Sequence, residues 1–578
     1  MIYKFLQNVL RFTKGFKVYL GPKVYLVILV STIGGLLEAA GISFLIPLIE
    51  SLLKTGGEAE QASVVGISAL DNIFNNLTTT QIILLILIIF GVKAAVMIGL
   101  LVYVSFARAE LLKTLRTKIL TKILSSGPRT EIETTGSHLA LLHEHVTRTL
   151  QSFHFINRVY LNLIQALLYF GIAIYLSWHF ALFAFVIGAI IAASILILSN
   201  KTQALSSKIS KQNSDSTSLN SEVIRSRIYL KATGASVLLF ERASSAIGAL
   251  AETQKKIWVL SGITQALKEP IAIVALIILF SIELMIFNQP VGSILLTAVL
   301  FHRFANSLLA LLHDYQYFSE YSESFTLVDT FIKKGNKKSL VRNVAFSKIV
   351  PAKFERIRIK NLSVEGKDGN KLLNKVSMDI NQGELVGLIG GSGAGKTTLI
   401  EVLLGVHEPT EGLIEVCTGK LRKPLGLFKH TVGYVSQDAV IYQGTIFENI
   451  HLWSGVERSK EARLKAELLI RKVGLEMLLE NGGIDSKIDE DGGNISGGQK
   501  QRLFLARELF KEPDILILDE ATSALDESSE KIITSLISSL RGLVTIVSIS
   551  HNPNSLINAD KIIELKNGRI SNSYTEMK

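Results

Sequence analysis

Three observations predict a polytopic α-helical membrane domain of six spans fused to an α/β domain built around a phosphate-binding loop. Of 578 residues, 48 % are hydrophobic and only 19 % are charged. Apolar runs of about 20 residues, the length that carries a helix across a hydrocarbon core of ~30 Å, recur in the first part of the chain and then stop. Near residue 390 a glycine-rich GxxxxGK[ST] sequence stands between a strand-like and a helix-like run. This composition excludes a disordered or collagen-like chain, and the single cysteine, Cys417, excludes an intrachain disulfide.

Six spans are placed at Val24–Ile49, Ile82–Tyr103, Phe153–Trp178, Ala181–Leu198, Thr264–Phe287 and Val291–Leu312. The net charge of +11 is concentrated here: residues 1–350 hold 32 Lys/Arg against 19 Asp/Glu, and residues 351–578 hold 29 against 31. Basic residues that share a segment with apolar runs mark cytoplasmic loops rather than a nucleic-acid surface, so no nucleic-acid partner is expected. Lys4, Arg11, Lys14, Lys17 and Lys23 precede span 1, and Arg108, Lys113, Arg116, Lys118, Lys122, Arg129 and Arg148 separate spans 2 and 3. Residues 56–81 carry no Lys or Arg. The positive-inside rule therefore places the N-terminus, the long connections 104–152 and 199–263, and the domain that follows span 6 in the cytoplasm.

Residues 1–23 are interrupted by charges and do not read as a cleavable signal peptide. Phe5, Val9, Phe12 and Phe16 keep helical spacing, which predicts an amphipathic helix along the inner membrane surface or, alternatively, one packed on protein. The long connections are helical in pattern, with breaks expected at Gly127-Pro128, Gly136 and Thr233-Gly234 that could contact a cytoplasmic domain. A basic polar stretch, Lys333-Lys334-Gly335-Asn336-Lys337-Lys338, reads as linker. The domains are thus drawn at 1–23, 24–325, 326–352 and 353–578.

The phosphate loop comprises Gly390, Gly391, Ser392, Gly393, Ala394, Gly395, Lys396 and Thr397, with Thr398 opening the helix behind it. Its glycines let backbone N–H groups wrap phosphates, the helix N-terminus adds partial positive charge, Lys396 neutralises phosphate oxygens, and the Thr397 hydroxyl suits Mg²⁺. Ile515-Leu-Ile-Leu518 reads as a buried parallel strand ending in Asp519-Glu520, placed to bind the metal and to orient an attacking water. Between them lies Asn494-Ile-Ser496-Gly497-Gly498-Gln499, followed by the helix-like run to Arg507.

The order of phosphate loop, Gln437, Ser496-Gly497-Gly498-Gln499, Asp519-Glu520, Ser523-Ala-Leu-Asp526 and His551 resembles the ATP-binding cassette (ABC) transporters. With six spans ahead, the whole chain is similar to an exporter half-transporter of the type IV fold: a membrane domain joined to an α/β P-loop ATPase of the ABC type. The resemblance implies ATP and Mg²⁺ as cofactors. It implies a signature, Ser496 to Gln499, that closes in trans on ATP held by a second subunit. It makes Glu520, His551 and Gln437 the catalytic residues, Thr397, Gln437 and Asp519 the Mg²⁺ ligands, and Asp526 a dimer contact. Two departures stand out. No aromatic residue occupies the adenine-stacking position, which falls at or beside Gly366, and Ile488-Asp-Glu-Asp-Gly492 replaces the usual glycine-glutamate pattern before the signature, with Glu490 at the acidic position. Glu520 and the signature are both intact, so the expected partner is a second copy of the chain.

Span 1 reads Glu38-Ala-Ala-Gly-Ile-Ser43-Phe-Leu-Ile-Pro47, similar to the branch of exporters that contains the lipid-linked oligosaccharide flippases. That resemblance singles out Lys93, Glu269, Arg303 and His313-Asp314. Ionisable groups at membrane depth are costly and serve either function or mutual pairing. Lys93 and Arg303 would attract a pyrophosphate or other anionic head group, or would pair with Glu38 to hold the bundle. The expected cargo is a lipid-linked oligosaccharide, glycolipid or polysaccharide precursor flipped across the cell's inner (plasma) membrane. The alternatives are export of peptides or hydrophobic drugs, or an ATP-gated channel or regulator.

Overall fold

The computed structural model describes residues 2–43, 79–125, 135–176, 178–285, 291–333, 354–366, 369–418, 421–424, 432–452, 454, 457–480, 482–521, 525–550, 556 and 558–575. It divides into two units, Met1–Val341 and Arg342–Lys578.

The first unit is helical. In chain order it runs α1 (Ile2–Leu20), α2 (Lys23–Ser43), α3 (Thr79–Ser125), α4 (Thr135–Ala140), a single π turn at Leu141–His145, α5 (Val146–Leu176), α6 (Trp178–Arg225), α7 (Arg227–Thr233), α8 (Ser236–Ala266), α9 (Lys268–Met285) and α10 (Val291–Lys333). The 47 residues of α3 make about 70 Å of helix, more than twice a hydrocarbon core. Span 2 and the more polar run after it are therefore one continuous rod, as the helical pattern of that connection implies. Among the described residues, three helical stretches are long and apolar enough to cross a membrane: Ile83–Leu124, Gly136–Ile174 and Ser236–Ile282. The other three expected spans include residues or side chains outside those described.

The local structure refines the sequence expectation at several points, each for a physical reason. The apolar stripe of α1 is not given to lipid: Val9, Phe12 and Phe16 are buried, with Phe16 against Phe153 of α5 and Phe325 of α10 at ring-centroid distances of 5.2 and 4.5 Å. Span 5 falls in the helical stretch Ser236–Ile282, where α8 and α9 meet at Leu267; its backbone stays right-handed helical (φ −79°, ψ −12°), and Pro270, which has no N–H, leaves the Ala266 carbonyl without its helical donor. Gly136 is not a break but lies inside α4, and Gly127-Pro128 lies outside the described residues. A Cβ on Gly136 would stand 2.4 Å from the Ser218 Cα of α6, a backbone-to-backbone approach that no side-chain rotation relieves. Gly136→Ala is expected to destabilise the membrane unit by about 1–3 kcal/mol through overpacking. Gly171→Ala, where a Cβ meets open space, serves as the control. Equal melting temperatures for the two variants would refute the close approach. The break at Thr233-Gly234 is present, with Gly234 closing α7 at φ +70°.

The second unit is α/β. Its elements are β1 (Arg356–Glu365), β2 (Lys371–Asn381), β3 (Leu385–Ile389), α11 (Lys396–Leu403), β4 (Glu411–Thr418), β5 (Leu421–Pro424), β6 (Val432–Val435), β7 (Gly444–Thr445), α12 (Ile446–His451), α13 (Lys460–Lys472), β8 (Lys487–Ile488), α14 (Gly497–Phe510), β9 (Ile515–Asp519), α15 (Glu527–Leu540), β10 (Thr545–Ile549), β11 (Lys561–Lys566) and β12 (Arg569–Thr575). A six-stranded sheet has the order β12-β11-β3-β10-β9-β6, and a four-stranded antiparallel sheet the order β2-β1-β4-β5. Leu399, Ile400 and Leu403 of α11 share one core with Ile357 and Ile380 of the antiparallel sheet and Leu388, Ile517 and Val547 of the larger one. On the opposite face Leu503, Phe504 and Phe510 of α14 pack with Leu516, Leu518 and Ile546. Strand β9 thus buries alternate residues on both faces, which is why it reads as an uninterrupted apolar run.

Candidate functional site

In the larger sheet β6, β9, β10, β3 and β11 run parallel, so their carboxyl ends share one edge, the place where open α/β sheets bind ligands. The pairing register shows what converges there. Ile549 lies opposite both Leu388 and Asp519, and Val435 lies opposite Leu518. The phosphate loop after β3, Asp519-Glu520 after β9 and Gln437 after β6 are therefore neighbours in space. His551 follows β10 on the same edge in sequence but lies outside the described residues.

The loop from Gly390 to Gly395 depends on glycine where its backbone turns. Gly390 (φ +151°) would put a Cβ 2.3 Å from the Leu565 carbonyl, and Gly395 (φ +103°) caps α11 with its would-be Cβ 2.8 Å from the Leu372 carbonyl. Lys396 is buried and its Nζ donates to the Gly390 and Gly391 carbonyls at 2.6 and 3.2 Å. The ammonium is thereby held inside the loop, beside the N-terminus of α11, where positive charge and N–H donors suit a phosphate. Gly391, Ser392, Gly393 and Thr397 are exposed, whereas Ala394 and Thr398 are buried and anchor the loop.

At the end of β9, Glu520 adopts φ +52°, a left-handed backbone that a non-glycine residue rarely takes, and its N–H donates to the Ile549 carbonyl at 3.2 Å. Its Oε2 accepts from Gln437 Nε2 at 2.9 Å. Asp519 is 8 % exposed, and burial first, then the charge of Glu520, push its carboxyl above the ordinary aspartate range. The Tyr434 hydroxyl of β6 donates to Asp519 Oδ2 at 3.4 Å, and burial together with that carboxylate pushes the phenol up to about 12. Sequence reading missed Tyr434, because an aromatic residue on a buried strand carries no chemical signal of its own.

Ser496 and Gln499 form a capping box at the start of α14. Ser496 Oγ accepts from the Gln499 N–H at 3.2 Å, and Gln499 Oε1 accepts from the Ser496 N–H at 2.8 Å. Gly497 follows with open space around its missing Cβ, so a firmly capped helix end is presented outward with Gly498 behind it. Asp526 caps α15, accepting from the Ser529 N–H at 3.4 Å and from the Ser528 hydroxyl, contacts that hold its carboxyl well below the usual range. Ser523 lies outside the described residues, and Glu490 is exposed on the approach to the signature. The Gly366 N–H donates to the Asn370 carbonyl at 2.8 Å, and among the described residues Leu372 is the nearest side chain to Gly366.

A family model described as ABC transporter matches residues 373–523, which span the phosphate loop, the signature and Asp519-Glu520. A bacterial Atm1-family ABC exporter solved with ATP bound has the same fold at a TM-score of 0.76, over 96 % of both chains and at 19 % identity. The chain belongs to the ABC transporters, as an exporter-type half-transporter. The half-transporter is 30 % identical over 412 residues to an ATP-dependent lipid A-core flippase of Francisella tularensis, covering 69 % of this chain and 66 % of that protein. It is 27 % identical over 445 residues to the heterocyst differentiation ATP-binding protein HepA of a Nostoc species, covering 76 % and 72 %. It is thus a multi-pass membrane protein with an ATP-hydrolysing domain.

The Lys93 ammonium lies 5.6 Å from the Phe90 ring centroid, Arg303 and Glu269 are exposed, and the Glu38 side chain lies outside the described residues. Asp314, buried on α10, accepts from Arg158 Nε at 3.0 Å and from Asn162 Nδ2 at 2.7 Å of α5, with His313 Nδ1 at 3.5 Å. Lys23 and Glu110, which sequence reading did not connect, tie α2 to α3 at 2.5 Å.

Proposed function

We propose that two copies of this chain couple ATP hydrolysis to the export or flipping of a lipid-linked oligosaccharide, glycolipid or polysaccharide precursor by alternating access. The substrate would leave from the cytoplasmic leaflet of an inner (plasma) membrane, with the N-terminus and the ATPase domain cytoplasmic and domains at 1–23, 24–325, 326–352 and 353–578. The observation that carries the ATPase reading is the 2.9 Å bond between Gln437 and Glu520, on the sheet edge that also holds the phosphate loop. Glu520 would orient the attacking water and accept its proton, while Lys396 and the loop N–H groups hold the phosphates. His551 would hold the γ-phosphate and Asp526 would stand at the dimer contact.

The donors available to a metal are oxygens: the exposed Thr397 hydroxyl, the Gln437 amide and the Asp519 carboxylate with Tyr434 behind it. That set suits a hard cation completed by nucleotide phosphates, so Mg²⁺ fits. When bound it would neutralise charge on the β- and γ-phosphate oxygens. The capped, outward-facing end of α14 supports a signature that meets nucleotide on the partner copy, because among the described residues nothing in its own unit covers Gly497.

For the cargo, the support is the span 1 pattern together with a relative named as a lipid A-core flippase. Reconstitution in proteoliposomes with polyprenyl-pyrophosphate sugars, lipid A-type glycolipids, peptides and drugs tests it. Anionic glycolipids are expected to stimulate ATP turnover and to be moved. Lys93→Ala with Arg303→Ala should raise their half-saturating concentration about tenfold by removing the phosphate-attracting cations. Stimulation and movement of peptides or drugs alone would overturn the cargo reading.

A further inference from the structure

Between Leu311 and Ser322 of α10 every residue is buried except His313, Tyr317 and Tyr321, which are partly exposed and recur every four positions. They form one stripe on the helix. On α5 the matching stripe holds Arg148, His154, Phe155 and Arg158. Phe155 stacks on Tyr317 at 4.9 Å between centroids with 13° between planes, and on Tyr321 at 5.8 Å and 14°. Tyr317 and Tyr321 lie within 17° of parallel. Three nearly parallel rings thus make a stepped platform, with the His313 ring set edge-on against Tyr317 at 4.7 Å and the His154 ring against Phe155 at 5.3 Å.

The platform is fixed at both ends. The Tyr317 hydroxyl accepts from Ser261 of α8 at 2.9 Å. Arg148 lies 5.2 Å over the Tyr321 ring and gives its donors to Ser324 Oγ and the Glu320 carbonyl. At the other end Arg158 gives Nε to buried Asp314, and its half-exposed guanidinium keeps its outer edge for another oxygen.

Position and dimension both bear on what fits. The stripe begins directly after the expected end of span 6 at Leu312 and faces the start of span 3 at Phe153, the level of a lipid head group on the cytoplasmic side. From His313 to Tyr321 the helix rises about 12 Å, the length of two or three sugar rings. Ring faces offer apolar, flat surface to the C–H faces of sugars, and an arginine fork suits phosphate oxygens.

We infer that the Phe155, Tyr317 and Tyr321 platform, flanked by Arg158, receives the sugar rings and phosphate of an anionic glycolipid head group. This rests on the cargo reading above and locates the recognition on rings that no motif in the sequence marks. The probes are polyprenyl pyrophosphate and polyprenyl pyrophosphate bearing a trisaccharide, presented in nanodiscs to the full-length dimer, with binding and ATPase stimulation as readouts. In Phe155→Leu/Tyr317→Leu the half-saturating concentration of the trisaccharide lipid should rise about tenfold while that of the sugar-free lipid stays at the wild-type value. Tyr317→Phe, which keeps the ring, should restore wild-type behaviour and shows that folding is not what changed. A double variant that still prefers the trisaccharide lipid as wild type does overturns this assignment alone. A wild type that neither lipid binds nor stimulates overturns the cargo reading and this assignment together.

Discussion

Glu520→Gln is expected to lower steady-state ATP turnover at least about a hundredfold while leaving nucleotide binding intact. The substitution is nearly isosteric. The oxygen of the introduced amide can still accept from Gln437 Nε2, so the 2.9 Å contact survives and the geometry of the sheet edge is kept. What disappears is the negative charge and the basicity that draw the proton from the attacking water. A hundredfold loss corresponds to about 2.7 kcal/mol of transition-state stabilisation, in the range expected of one general base. The backbone supports this assignment. Glu520 holds φ +52° at a cost of about 1–3 kcal/mol, an arrangement that persists only where surrounding structure imposes it, here through the Ile549 carbonyl. Turnover by phosphate release, set beside equilibrium binding of a fluorescent ATP analogue, measures both halves of the expectation. Near-normal turnover would remove Glu520 from the mechanism, and lost binding would make its role structural.

How much was legible in the sequence depended on how local each feature is. The phosphate loop, the Asp519-Glu520 strand end and the signature are each written in fewer than ten consecutive residues, and their backbone geometry follows from glycine positions and apolar runs. Long continuous helices were legible for the same reason, from sustained periodicity without proline. Features that depend on a partner far along the chain were not. The stripe of α1 announced an amphipathic helix, but its apolar side meets Phe153 and Phe325, more than a hundred residues away, and no periodicity distinguishes that surface from lipid. Asp314 stands out in sequence as a charge at the end of span 6, but nothing there names its partner, Arg158, at a sequence distance of 156.

Arg507 is the clearest residue of this second kind, and Arg507→Ala is expected to cost the ATPase unit about 3 kcal/mol, with a melting temperature lower by about 6–12 °C. In sequence it is one more cation in the helix after the signature. In the structure it is 2 % exposed, and its guanidinium donates to the Asn449 carbonyl at 2.6 Å, the Val440 carbonyl at 2.6 Å and Asn449 Oδ1 at 2.8 Å. The rings of Phe504 and Tyr442 lie 5.3 and 5.5 Å from it. Removing it takes that donor from two buried oxygens of Asn449 and from the Val440 carbonyl, and a buried acceptor that loses its donor costs more than the net worth of the bond. Asn449 also bonds Tyr442 N–H and the Tyr442 and Thr445 carbonyls, so the whole segment from Val440 to Asn449 hangs on this arginine. Lysine keeps the charge but offers a point donor in place of a planar fork, so Arg507→Lys should recover less than half of the lost stability. Thermal melting of the full-length protein in detergent, followed by nucleotide-dependent fluorescence, distinguishes the variants. If Arg507→Ala melts with the wild type, the clamp is not holding the segment. Because that segment begins three residues after Gln437, the same variant should lose ATP turnover by a larger factor than it loses ATP affinity: Lys396 and the phosphate loop lie across the sheet edge and are untouched, whereas the partner of Glu520 is not.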